Sequence, residues 1–74
     1  MVFSKEQTAT NLRALRTLRN LSQRDLADVS GVSYESIKGY ESGKSVMSLE
    51  NAAKIADALD CSVDALVIEL QITA

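Results

Sequence analysis

The chain has no histidine, no proline and no tryptophan, and it has one cysteine and three glycines among 74 residues. Each absence excludes something. Without histidine the familiar zinc constellations cannot be assembled, and the lone Cys61 rules out an intramolecular disulfide framework. With one thiol, no histidine and no phosphate loop, no familiar catalytic triad or metal site can be built, so neither an enzyme nor a cofactor is expected. Aromatic residues make up 4% of the chain, too few for a β-sandwich core or a surface that stacks single-stranded bases. No apolar run approaches the ~20 residues that cross a bilayer. The opening Met1-Val2-Phe3-Ser4-Lys5 lacks the apolar centre of a signal peptide. The expectation is a cytoplasmic protein with no membrane partner.

What is there fits a small globular protein. Hydrophobic residues make up 46% and charged residues 24%, and residues 1–74 are read as a single domain. A chain this short buries only about 60% of the surface that its unfolded form exposes, so its core must be compact. The net charge is −2, unevenly spread. Residues 1–44 carry seven basic and five acidic side chains, whereas residues 45–74 carry Lys54 against five acidic ones. A positive face opposite an acidic one is compatible with phosphate attraction, which acts within a Debye length of roughly 8 Å.

Helical periodicity with capping signals recurs five times. The first helix is expected to run to about Asn20, with Leu12, Leu15 and Leu18 on one stripe. Ser4-Lys5-Glu6-Gln7 reads as its capping box, with Thr8 and Thr10 as alternative caps. Ser22 opens a second helix that carries Leu26, Ala27 and Val29 inward, and Gly31 ends it in a left-handed conformation. Ser33 caps a third helix, Tyr34 to Ser42, ended by Gly43. Ser48 caps a fourth, with Leu49, Ala52, Ala53, Ile55, Ala56 and Leu59 at helical spacing, and Ser62 a short fifth. The expected architecture is an all-α, compact five-helix bundle.

The strongest pattern is Gln23 through Tyr40. Two short helices joined by a glycine turn need a small residue where they cross, a glycine in the turn and a branched apolar residue that docks the second helix. Ala27, Gly31 and Ile37 meet these needs together. Here the chain resembles the phage repressor and Cro type of helix-turn-helix, the Xre family. The resemblance covers about Leu12 to Val67. It rests on Leu12-Arg13-Ala14-Leu15-Arg16, Leu21-Ser22-Gln23, Leu26-Ala27, Gly31-Val32-Ser33, Ile37, Glu41-Ser42-Gly43-Lys44 and Leu49. It continues in Ile55-Ala56-Asp57-Ala58-Leu59 and Ser62-Val63-Asp64-Ala65-Leu66.

The resemblance implies duplex DNA as partner, with the third helix in the major groove. It places Gln23 and Arg24 by a phosphate at the start of the second helix. Ser33 caps the recognition helix, on which Tyr34, Glu35, Ser36 and Lys38 lie near the groove. Ser42, Lys44 and Ser45 follow as backbone contacts. It makes Arg16 and Glu41 a structural ion pair and Tyr40 a core residue. Tyr34 has three readings: contact with a thymine methyl, a hydroxyl donated to phosphate, or a cover for the helix N-terminus. Glu35 accepts from cytosine N4 or pairs with a nearby cation.

Three departures qualify the match. Gly39 stands where many relatives have a side chain long enough to reach a base, which leaves specificity to fewer contacts or to DNA shape. Met47 replaces a usual proline and Asp60 a usual glycine. Cys61 falls at a small apolar position and is expected to be a buried, inert thiol. The tail, residues 68–74, alternates apolar and polar residues and is a candidate dimerisation segment, either a strand or the end of the fifth helix. The leading reading is a homodimeric, sequence-specific regulator, most simply a repressor. The alternative is a protein-interaction module such as the antitoxin of a toxin–antitoxin pair, with a protein partner.

Overall fold

The computed structural model describes residues 4–67, and the candidate dimerisation tail lies outside them. Five helices follow one another: α1 (Lys5–Leu18), α2 (Gln23–Ser30), α3 (Tyr34–Glu41), α4 (Leu49–Ala58) and α5 (Val63–Val67). Among the described residues there is no strand. Serines start the first four helices. The hydroxyls of Ser4, Ser22, Ser33 and Ser48 each accept the backbone N–H three residues on, satisfying a donor that has no partner inside the helix. At α2 the box is closed in both directions, since the Ser22 N–H donates to the Asp25 carboxylate at 3.0 Å. At α1 the Gln7 side chain instead donates to Asn11 at 2.9 Å. Thr8 and Thr10 lie inside α1, their hydroxyls donating to the carbonyls four residues back.

The helices enclose one apolar centre of Leu12, Leu26, Val32, Ile37, Tyr40, Met47, Ala52, Ile55, Ala56, Leu59 and Leu66. α1 packs on α3 and α5, α2 on α3 and α4, and α4 on α5. Buried Asn11 donates to the Leu66 carbonyl at 3.1 Å and ties α1 to the end of α5. The Gly31 turn has φ +77°, where an L side chain is strained, and it sets the angle between α2 and α3.

Two inward assignments are corrected. Leu18 is 71% and Val29 60% exposed. Successive residues turn by about 100° on a helix, so Leu18 lies about 120° around α1 from Leu12, outside the buried stripe. Val29 is displaced in the same way from the face that Leu26 and Ala27 share. α1 also ends at Leu18, two residues before Asn20, which takes φ +59°.

Candidate nucleic-acid interface

α3 is divided lengthwise. Its inner face buries Ile37, Tyr40 and Glu41. Ile37 lies wholly within the core, and the Tyr40 hydroxyl accepts from the Asn51 amide at 2.8 Å. Glu41 is the unusual member, a carboxylate only 5% exposed. Arg16 meets it through two bonds, Nε to Oε2 at 2.6 Å and Nη2 to Oε1 at 2.9 Å. A guanidinium matches a carboxylate in this paired geometry. The Arg16 Nη1 donates to the Leu21 carbonyl at 2.8 Å, so one side chain joins α1, the α1–α2 connection and α3. The bonds from Glu41 hold the Arg16 guanidinium still further above its usual range.

The outer face carries exposed Glu35, half-buried Tyr34, Ser36 and Lys38, and Ser33 at its cap. The Ser33 hydroxyl donates to that of Ser36 at 2.8 Å while accepting the Ser36 N–H, so both are engaged in the cap. Lys38 lies 3.2 Å from Glu35, a solvent-exposed pair worth little in stability. The Tyr34 ring has the Arg24 guanidinium 4.2 Å and the Lys38 ammonium 4.5 Å from its centroid. Gln23, which the resemblance places at a phosphate, turns its amide to Glu41 at 3.2 Å. It thereby also belongs to the network that fixes α3.

Beyond α3 the chain folds back on Gly39. The Gly39 carbonyl accepts from the Ser42 hydroxyl at 3.1 Å and from the backbone N–H groups of Lys44 and Ser45 at 3.0 and 3.3 Å. A Cβ at Gly39 would stand 3.0 Å from the Ser45 hydroxyl oxygen. The missing side chain therefore makes room for the loop, a role that the sequence reading did not give it. Glu35, Lys38, Gly39, Ser42 and Lys44 line the resulting shallow concavity. Lys44 makes no ion pair among the described residues. Of the expected contact residues, Arg24, Tyr34, Glu35, Ser36, Lys38, Ser42 and Lys44 thus lie on α3's outer side or its flanks, whereas Gln23 turns toward Glu41.

Two other polar residues act elsewhere. Arg19, counted in the basic half, donates to the Leu59 and Asp60 carbonyls at 2.9 and 3.4 Å and caps the end of α4. Cys61 is half-buried rather than buried, and desolvation pushes its thiol above the usual range, with Arg19 opposing and Asp60 adding to the shift. Among the described residues no acidic or cysteine cluster could hold a metal ion, and no helix is long and apolar enough to cross a membrane.

The helix-turn-helix family model matches residues 12–66, the stretch that holds this α2–turn–α3 unit. The chain belongs to the Xre-type helix-turn-helix family. Family members are transcriptional regulators and not enzymes. Over 62 residues this helix-turn-helix chain is 44% identical to the cryptic phage CTXphi transcriptional repressor RstR of Vibrio cholerae serotype O1, covering 84% of the chain. The chain spans about half, 52%, of that repressor's length. It is similar in structure to the restriction-modification controller protein C.AhdI of Aeromonas hydrophila, with a TM-score of 0.80 and 39% identity over 84% of this chain and 94% of that one. A hypothetical transcription factor, NHTF, from Neisseria superposes with a TM-score of 0.83 at 26% identity, over 88% of this chain and 75% of its own.

Proposed function

We propose that this helix-turn-helix chain is a sequence-specific, double-stranded-DNA-binding regulator that works in the cytoplasm as a homodimeric repressor. The observation that carries the reading is the lengthwise division of α3. Ile37, Tyr40 and Glu41 fix the helix from within, and the polar residues Tyr34, Glu35, Ser36 and Lys38 are left outward beside Arg24 and Lys44. In this reading Ser42 and Lys44 meet phosphates and position the protein, and α3's outer side chains read base edges. Similarity to a phage transcriptional repressor supports the regulatory role. Occupying a promoter requires no chemistry.

A homodimer matches the two-fold symmetry of a palindromic site, on which two recognition helices lie about 34 Å apart. The surface offered to a second copy is an apolar groove between α4 and α5, lined by Met47, Leu49, Ala52, Val63 and Val67. Leu49 is 79% exposed there. At Val67 the chain passes directly into the apolar positions Ile68, Leu70 and Ile72.

Selection from a pool of random duplexes at two salt concentrations tests the reading. Recovery of a palindromic motif, with affinity falling steeply in salt, is expected. No enrichment at low salt from folded protein would overturn it and favour a protein-interaction module, whose partner should co-purify.

A further inference from the structure

The chain has two described tyrosines, and only one is explained by packing. Tyr40 is a core residue with its hydroxyl bonded to Asn51. Tyr34 stands at the start of α3 and has no hydrogen bond from its hydroxyl among the described residues, while two cations rest against its ring. Lys38 comes from one helical turn further along α3, and Arg24 crosses from α2. Glu35 offsets the charge of Lys38. The Arg24 side chain makes no hydrogen bond or ion pair among the described residues, so the ring face is what holds this exposed and otherwise freely rotating group.

An aromatic ring attracts cations through the negative potential of its face, most strongly for tryptophan and tyrosine. Two like charges against one ring also repel each other. Their joint placement is therefore most favourable when an anion lies beside them. Side chains ordered before binding lose less entropy when they bind, which raises affinity without adding a contact.

We propose that Tyr34 is a positioning residue: its ring, rather than its hydroxyl, holds Arg24 and Lys38 ready for the phosphate backbone of DNA. The proposal rests on the DNA-binding reading above. It differs from the two readings in which Tyr34 itself touches DNA, because it assigns the effect to the cations.

The experiment compares Tyr34→Leu and Tyr34→Phe in the full chain, on the duplex recovered by selection, across a salt series. Tyr34→Leu is expected to weaken binding roughly fivefold while keeping the salt slope, since no charge is lost. Tyr34→Phe restores the affinity. Arg24→Gln lowers the slope by about one. In the Arg24→Gln background Tyr34→Leu costs clearly less than in the parent, the sign of coupling between the two side chains. A second readout needs no DNA. Ring currents should move the Arg24 Hδ and Lys38 Hε resonances of the free protein, and Tyr34→Leu should abolish those shifts while Tyr34→Phe keeps them.

Equal losses in Tyr34→Phe and Tyr34→Leu would overturn the proposal in favour of a hydroxyl contact. An unchanged affinity in Tyr34→Leu would overturn it outright. A parent protein that binds no duplex would sink the DNA-binding reading itself, a result separate from either.

Discussion

Glu41 shows how much one side chain can decide. A carboxylate this buried is tolerable because Arg16 and Gln23 together give it three bonds. Removing one partner of a buried pair leaves the other charge without compensation, which typically costs about 3–5 kcal/mol. Glu41→Ala is expected to lower stability by roughly 3 kcal/mol in denaturant melts, and any loss of DNA binding would follow from unfolding. Gly39 predicts the opposite separation. Alanine is favoured over glycine inside a helix by about 1 kcal/mol, and the atom it would crowd is the rotatable Ser45 hydroxyl. Gly39→Ala is expected to raise the melting temperature by a few degrees while weakening duplex binding, because the Ser45 hydroxyl must turn away from the new methyl and so alters the surface beside Lys44. A less stable variant would show that the loop cannot yield to the added methyl, and a fully active one that binding does not depend on this contact.

At the scale of helices, the caps were the most legible part of the sequence. Serine beside a helical apolar pattern marks a start because its oxygen meets a specific orphan donor, and Ser4, Ser22, Ser33 and Ser48 all do so. The closed box at α2 has a pH signature. The Ser22 backbone N–H, then its hydroxyl, hold the Asp25 carboxylate below its usual range. A carboxyl depressed on folding contributes stability that is present above its unfolded value of about 3.9 and is lost as pH falls through the lower folded value. Asp25 should therefore titrate below pH ~3.9 by NMR, and Ser22→Ala, which keeps the backbone N–H, should move its midpoint part of the way back up while costing about 1 kcal/mol. A midpoint at the free-peptide value would mean that the box is open in solution.

Less legible were the places where a helix meets the rest of the molecule. The stripe of Leu12, Leu15 and Leu18 is real as a pattern, but spacing by three drifts around the helix, and only packing shows where burial stops. Arg19 looked like one more basic residue. Its bonds to carbonyls at the end of α4 lie 40 residues away in sequence, and nothing local announces them. Gly39 carried a signal that could have been read: a glycine inside a helix asks what comes close, and Ser45 does. Gln23 was read from its place at a helix start, whereas its bond to Glu41 depends on how α2 and α3 cross.

At the scale of the described molecule, the cations about α3 and the apolar groove between α4 and α5 occupy different places. Arg24, Lys38 and Lys44 surround α3, whereas Leu49 and its neighbours form the groove between α4 and α5. If that groove is where two copies meet, Leu49→Lys should yield a folded monomer by light scattering, with weakened binding to a palindrome but nearly unchanged binding to a half-site. A Leu49→Lys protein that still runs as a dimer would place the interface elsewhere.

The division of α3 also bears on how such a protein changes its target. Tyr34, Glu35 and Lys38 alternate along the helix with Ile37, Tyr40 and Glu41, and among the described residues no side-chain hydrogen bond or ion pair joins the two sets. In the proposed DNA-binding reading, address and scaffold are therefore written in separate letters of one short word. The outward letters can drift through many spellings while the inward ones hold the helix in place. In that reading a few surface changes can alter the operator while Ile37, Tyr40 and Glu41 stay in place.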